Sequence, residues 1–394
     1  MIILHIITDL TTGGAELMLE RLVGRHSREG RYRHRVISLR TLGQVGPRLQ
    51  SAGIEVEAMG MTGPTGLAAG FVRLVRRIRR IDPAIVQTWM YHSDLIGGLA
   101  ARLAGHRRIL WGVRVMDIMP AMGVSRSVLL IRRLCARLSR TVPRRILYVA
   151  ESARIVHEAL GYDPAKAAVI PNGYLVPSED EAASARRRKR EELGLAEDSI
   201  LIGSGGRFSP QKGYRGFVEA AAAIVRGFPQ ARFVLFGRGV AWENEELAGW
   251  IRDAGLADRF HLLGERRDVL DWLAALDIFT LFSIGEGFPN IVAEAMSVAV
   301  PVVVTDVGDA ALLVDDTGIV ISPGDLKGLT AALEGLIAAG EGERRRLGGA
   351  GRQRVDAVFS LTAVAERYAK LYEEMAGEDR PRARAPGSDG LELK

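Results

Sequence analysis

The feature that most constrains this chain is an alternation that occurs twice: short apolar runs, each followed by a stretch with helical spacing. In the first series, residues 2–8, 36–39, 85–88, 109–113 and 146–149 read as strands. Residues 169–172 add a last short strand ending in turn residues. Strands separated by helices pair in parallel, so each such unit predicts a βαβ crossover. A second series starts at Ile200, with strand-like runs at 200–204, 232–236, 260–263, 278–282 and 302–305. At 394 residues the chain exceeds what one hydrophobic core usually serves. The expectation is therefore an α/β protein of two Rossmann-like, doubly wound domains facing a central cleft.

Domain limits follow from composition shifts. Residues 1–180 form the expected first domain and 181–357 the second, with the polar run 178–192 read as connector and entry. Runs 329–337 and 361–375 read as closing helices, segment 358–376 is expected to pack back on the first domain, and the Arg/Pro/Gly-rich tail 377–394 reads as disordered. No internal repeat goes beyond the shared βαβ pattern.

Hydrophobic residues at 47% and charged residues at 25% suit a folded globular chain. The single cysteine, Cys135, excludes an internal disulfide and leaves a cysteine-based zinc site short of ligands. No apolar run is long enough to span a bilayer and the opening residues lack a basic leader, so the expected location is cytoplasmic. The net charge of +6 comes mostly from arginine and favours anionic partners. Two segments, 71–80 and 126–140, arrange it at helical spacing. Phe71, Leu74, Val75 and Ile78 share one face against Arg73, Arg77 and Arg80, and Val128, Ile131, Leu134, Cys135 and Leu138 share another against Arg126, Arg133, Arg137 and Arg140. The pattern fits first surface helices packed on a core, with a basic face lying peripherally on an anionic membrane as the second reading. No nucleic-acid-binding module is recognisable, so nucleic acid is not an expected partner.

Three glycine-rich turns carry the candidate chemistry. After the first strand come Gly13, Gly14, Ala15 and Glu16, where backbone N–H groups at a helix start can approach an anion, or simply close a tight βα turn. The second domain opens with Gly205, Gly206, Arg207 and then Lys212-Gly213. One guanidinium and one ammonium held on such a loop suit a diphosphate, though an exposed basic turn has the same sequence. The loop lacks the Gly-Lys-Ser/Thr ending of a Walker A loop and the magnesium-binding hydroxyl with it. Farther on, Glu286-Gly287-Phe288-Pro289-Asn290 leads into a helix holding Glu294. Ionised carboxylates only accept hydrogen bonds, which suits them to hydroxyl-rich ligands. A charge at a helix N-terminus and a surface acid are the plain alternatives.

Taken in order, Gly13-Gly14-Ala15-Glu16, Ile170-Pro171-Asn172-Gly173, Gly206-Arg207 through Lys212-Gly213, Glu286 through Asn290 with Glu294, and Thr305-Asp306-Val307-Gly308-Asp309 resemble the retaining GT-B glycosyltransferases of family 4. The likeness runs from about residue 1 to about residue 375. It implies sugar transfer from a nucleoside-diphosphate sugar, a UDP- or GDP-sugar, to a glycan or lipid-linked acceptor. Arg207 and Lys212 would bind the diphosphate as electrostatic catalysts, Glu286 would meet sugar hydroxyls, and Glu294 the ribose. Gly206, the Gly287–Asn290 turn, Gly13 and Gly14 would line the donor, and no metal or other cofactor is expected. Many family members carry a histidine after the strand matching 109–113, where this chain has Arg114, so the acceptor-side residue stays open between His92, for which a structural role is an equal reading, Arg114 and neither. An epimerase or phosphorylase on the same fold, and a non-catalytic scaffold or nucleotide-sugar sensor, are the alternative readings.

Overall fold

The computed structural model describes residues 1–11, 13–115 and 126–377; the tail beyond 377 lies outside the described residues. Seven strands form the first sheet: β1 (Ile2–Ile7), β2 (Arg33–Ser38), β3 (Glu55–Ala58), β4 (Ile85–Trp89), β5 (Ile109–Val113), β6 (Arg145–Tyr148) and β7 (Ala167–Val169). All pair in parallel, in the order β3-β2-β1-β4-β5-β6-β7. The second sheet contains β8 (Ile200–Gly205), β9 (Ala231–Phe236), β10 (Phe260–Leu262), β11 (Ile278–Leu281), β12 (Val302–Thr305) and β13 (Ile319–Ile321). It is also all parallel, ordered β10-β9-β8-β11-β12-β13. Two doubly wound sheets of the same strand order are the observed architecture, as the sequence predicts.

Central strands are buried along their length because helices cover both faces of each sheet, which explains their continuous apolar sequences. On one face of the first sheet the helices Gly63–Ile81, Tyr91–Leu103 and Arg126–Leu138 pack side by side. On the other, the helix Gly14–Arg28 packs against the last helix, Leu361–Gly377. That last helix places Leu361, Val364, Tyr368, Tyr372 and Met375 in one core with Ile3, Leu19 and Trp89. Here three imidazoles lie close together: His5 Nε2 bonds His34 Nδ1 at 2.9 Å and His26 stacks on His34. Burial lowers the pKa of all three, His34 to about 3, so they are neutral in the folded chain.

The chain crosses between the sheets twice. The first crossing leaves β7, and the second runs back through a π-helical turn at Val355–Phe359. The two lie together: Tyr174 N–H donates to Phe359 O at 2.9 Å and Leu361 N–H to Tyr174 O at 2.7 Å. The polar run after the first crossing is no flexible connector but the helix Glu179–Glu192, started by a reciprocal cap between Ser178 and Glu181. Arg186 and Arg190 fix it to the second domain through Asp277, at 2.5 and 2.9 Å.

Candidate active site

In sheets of this kind ligands gather outside the carboxyl ends of the strands, where the strand order reverses. Those points lie between β1 and β4 in the first sheet and between β8 and β11 in the second. A cleft of about 790 Å³ joins them. Gly13, Gly14, Glu16, Met90, Arg114 and Asn172 line one wall; Gln211, Glu286, Gly287, Phe288 and Asn290 line the other.

Behind the second wall, Gly206, which like Arg207 and Lys212 is not among the lining residues, takes φ +141, a conformation open to glycine, and a Cβ there would lie 3.0 Å from Lys212 Cε. Arg207 follows it, exposed and without an ion-pair partner among the described residues. A single helical turn, Pro210–Lys212, then aims Lys212 inward, and Gly213 (φ +63) starts the helix Tyr214–Gly227. Lys212 Nζ lies 2.6 Å from Glu286 Oε1, which also accepts from Ser283 Oγ at 2.7 Å. The loop carrying Glu286 is braced from behind: Gly308 (φ +58) packs so closely that a Cβ would sit 2.3 Å from the Glu286 and Gly287 carbonyls, and Asp309 N–H donates to Gly287 O at 2.9 Å. Pro289 precedes the helix Asn290–Ser297 rather than entering its first turn.

The two acids of this motif have different surroundings. Glu286 lines the cleft, whereas Glu294, within the Asn290–Ser297 helix and not among the lining residues, lies 3.9 Å from Arg21 of the first domain. Burial raises the Glu294 pKa and Arg21 offsets part of that rise.

On the first wall the two candidates His92 and Arg114 differ in position. Met90 adopts φ +73 at the start of the Tyr91–Leu103 helix and itself takes the cleft wall, while His92 is half-buried beside it and is not among the lining residues. Burial and the nearby Arg40 charge lower the His92 pKa. Arg114 does line the cleft. Its Nη1 donates to Tyr368 Oη at 3.0 Å, its Nη2 donates to Asn172 Oδ1, and its guanidinium lies 5.4 Å from the Trp89 ring centre.

The walls are tied by groups whose pairing the sequence does not reveal. Asn290 Oδ1 accepts from Asn172 Nδ2 at 2.7 Å and from Tyr174 Oη at 2.5 Å. The Asp309 carboxylate caps the first-domain helix Glu151–Ala159 across the interface, accepting from the Glu151 and Ser152 N–H groups at 2.6 and 2.8 Å. Among the described residues no cluster of three or more His, Cys, Asp or Glu could hold a metal ion, and no helix is long and apolar enough to cross a membrane.

Comparison with known proteins supplies the family. Residues 12–174 match the family described as Glycosyltransferase Family 4 and residues 199–339 match Glycosyl transferases group 1. The UDP-Gal:alpha-D-GlcNAc-diphosphoundecaprenol alpha-1,3-galactosyltransferase of Escherichia coli is 30% identical over 267 residues, 66% of this chain and 68% of that protein. The lipopolysaccharide core biosynthesis mannosyltransferase LpsB of Rhizobium meliloti is 35% identical over 197 residues, covering 47% of this chain. The match spans 55% of LpsB, about half its length. Among solved structures, Anabaena HepE in complex with UDP-glucose superposes with a TM-score of 0.77 at 22% identity, over 95% of this chain and 99% of that one. By its sequence matches and its two facing sheets, the chain belongs to the family 4 glycosyltransferases, glycosyl transferases group 1, with the GT-B fold.

Proposed function

We propose that this protein is a retaining, metal-independent hexosyltransferase that moves a sugar from a UDP- or GDP-sugar to a glycan or lipid-linked acceptor in polysaccharide or glycoconjugate assembly. The observation that carries the reading is the Lys212–Glu286 pair, on the loop that also carries Arg207, at the reversal point of the second sheet, with Glu286 lining the cleft together with Gly13 and Gly14. An arriving diphosphate competes with Glu286 for the Lys212 ammonium. Release of Glu286 then leaves a carboxylate to accept from the hydroxyls of the attached sugar. Arg207 and Lys212 neutralise the charge that grows on the diphosphate as the glycosidic bond breaks, which is the part a divalent ion plays elsewhere. Retention follows if the acceptor attacks from the face the diphosphate leaves, its proton passing to the departing phosphate oxygen. Glu294 is assigned to the ribose, which requires it to turn from Arg21.

Two relatives whose names specify sugar transfer into lipid-linked or lipopolysaccharide glycans, and a similar fold holding UDP-glucose, support the substrate class. The acceptor reading extends to the membrane. Exposed Leu67 and Val72 on the Gly63–Ile81 helix and Leu130 and Leu134 on the Arg126–Leu138 helix stand among arginines, on helices flanking Tyr91–Leu103. That face suits an anionic bilayer surface.

Calorimetric titration of UDP, GDP, ADP and their common sugar conjugates, with EDTA present, tests the proposal on the wild type and Arg207→Ala. Tight binding of one nucleotide without metal, largely lost in the variant, is expected. Failure of every nucleotide to bind, or indifference to Arg207, returns the chain to the scaffold reading.

A further inference from the structure

We infer that Arg114 reads an anionic substituent, a carboxylate or a phosphate, on the sugar held against the first-domain wall; the inference rests on the transferase reading above. Arg114 leaves the carboxyl end of β5 half-buried and faces Glu286–Phe288 and Asn290 across the cleft. Its company is neutral: the Tyr368 hydroxyl, the Asn172 amide oxygen and the Trp89 ring. Among the described residues no carboxylate lies within ion-pair distance of it, and its Nε–H is buried without an acceptor. Other arginines that are partly withdrawn from water here are paired in two ways: Arg154, Arg186, Arg190 and Arg266 hold carboxylates, whereas Arg344 and Arg352 give their donors to backbone carbonyls.

A guanidinium withdrawn from water without a counterion is costly. Among the described residues nothing behind it offsets the charge, since burial keeps the Tyr368 hydroxyl protonated. Across the cleft Glu286 is engaged by Lys212 and Ser283. The acid on the same wall, Glu16, has its pKa raised by burial. Two of the five guanidinium hydrogens serve Tyr368 and Asn172 and the Nε–H is buried, which leaves one on each Nη for a ligand. A planar fork with spare donors, facing a cleft, matches a carboxylate or phosphate better than a neutral hydroxyl. Asn172 passes the contact on, since its amide donates to Asn290 at the start of the donor-side helix.

The anionic group has two sources, the donor sugar or the acceptor, and two arms separate them. In the first, calorimetry compares UDP-glucuronate with UDP-glucose, and the GDP-linked pair likewise. In the second, ligand-observed NMR compares methyl glucuronide and glucose 6-phosphate with methyl glucoside, with and without saturating UDP. Wild type is expected to prefer the acidic probe by about 10- to 100-fold in one arm, the worth of a hydrogen-bonded charge pair. Arg114→Gln should bring that ratio near one while UDP alone binds as in wild type. Arg114→Lys, which keeps the charge and loses the fork, should fall between. Equal binding of acidic and neutral probes to wild type in both arms overturns the inference, as does a ratio unchanged in Arg114→Gln or an equal loss of both probes. Should that variant not fold, the wild-type ratio and Arg114→Lys decide. Failure of the transferase reading shows separately, as absence of nucleotide binding, and the glycoside arm without UDP still tests Arg114.

Discussion

The turn after β1 and the turn after β8 occupy equivalent places in two sheets of the same strand order, yet they offer a ligand different things. After β8 the loop delivers Arg207 and Lys212, and β11 adds Glu286 to hold Lys212 at 2.6 Å. After β1 the chain delivers backbone at Gly13 and Gly14 and, as its one acid among the described lining residues, Glu16. The first domain's one lining cation, among the described residues, comes instead from the end of β5 as Arg114, with neutral partners. Strand order thus decides where a ligand can sit, while the loop sequences decide what charge it meets. A diphosphate belongs on the second wall, and the first is left to recognise whatever the diphosphate carries or the acceptor brings.

The sharpest attempt to break this division is a pair of substitutions, one on each loop. Lys212→Ala should lower steady-state turnover by about 100- to 1000-fold, the usual cost of removing a donor from growing negative charge. Glu16→Gln should cost less than about 10-fold, because among the described residues no cation pairs with its carboxylate. Equal losses would erase the contrast. A second pair concerns backbone. Gly308→Ala forces a Cβ against the Glu286 and Gly287 carbonyls at positive φ and should destabilise by about 2–4 kcal/mol in urea unfolding. For Gly14→Ala the nearest atom, Asn290 Nδ2, is 3.9 Å away in ordinary contact, so stability should change by no more than about 1 kcal/mol. The smallest effect concerns the outer surface of the first domain. Arg76→Glu with Arg80→Glu should reduce sedimentation with phosphatidylglycerol vesicles several-fold at low salt and leave nucleotide affinity as it was. Vesicle binding that ignores these charges would remove the membrane from the reading.

Much of this was legible in the chain because doubly covered strands are unbroken apolar runs. The edge strands were harder: β3 reads Glu-Val-Glu-Ala and β13 spans three residues, neither apolar enough nor long enough to stand out. The 178–192 helix escaped because its polar sequence buries little, and its hold on the second domain is the ion pairing of Arg186 and Arg190 with the distant Asp277. At the site, glycine turns and their cations are local patterns and could be read. The Asn172–Asn290 bond and the Asp309 cap join two domains, so no local pattern announces them. The positions of His92 and Arg114 were not legible either: Met90, at positive φ, lines the cleft where His92 does not, and Arg114 lines it too.

The return of the Leu361–Gly377 helix to the first sheet carries a consequence for how the protein is made. The core around Ile3, Leu19 and Trp89 is completed by Val364, Tyr368 and Tyr372. During synthesis the second domain, built from residues between the two crossings, has all its strands before the first domain has all its core. The half of the molecule translated first is therefore the half that matures last, and until those final turns emerge its apolar groove beside the Gly14–Arg28 helix stands open to chaperones.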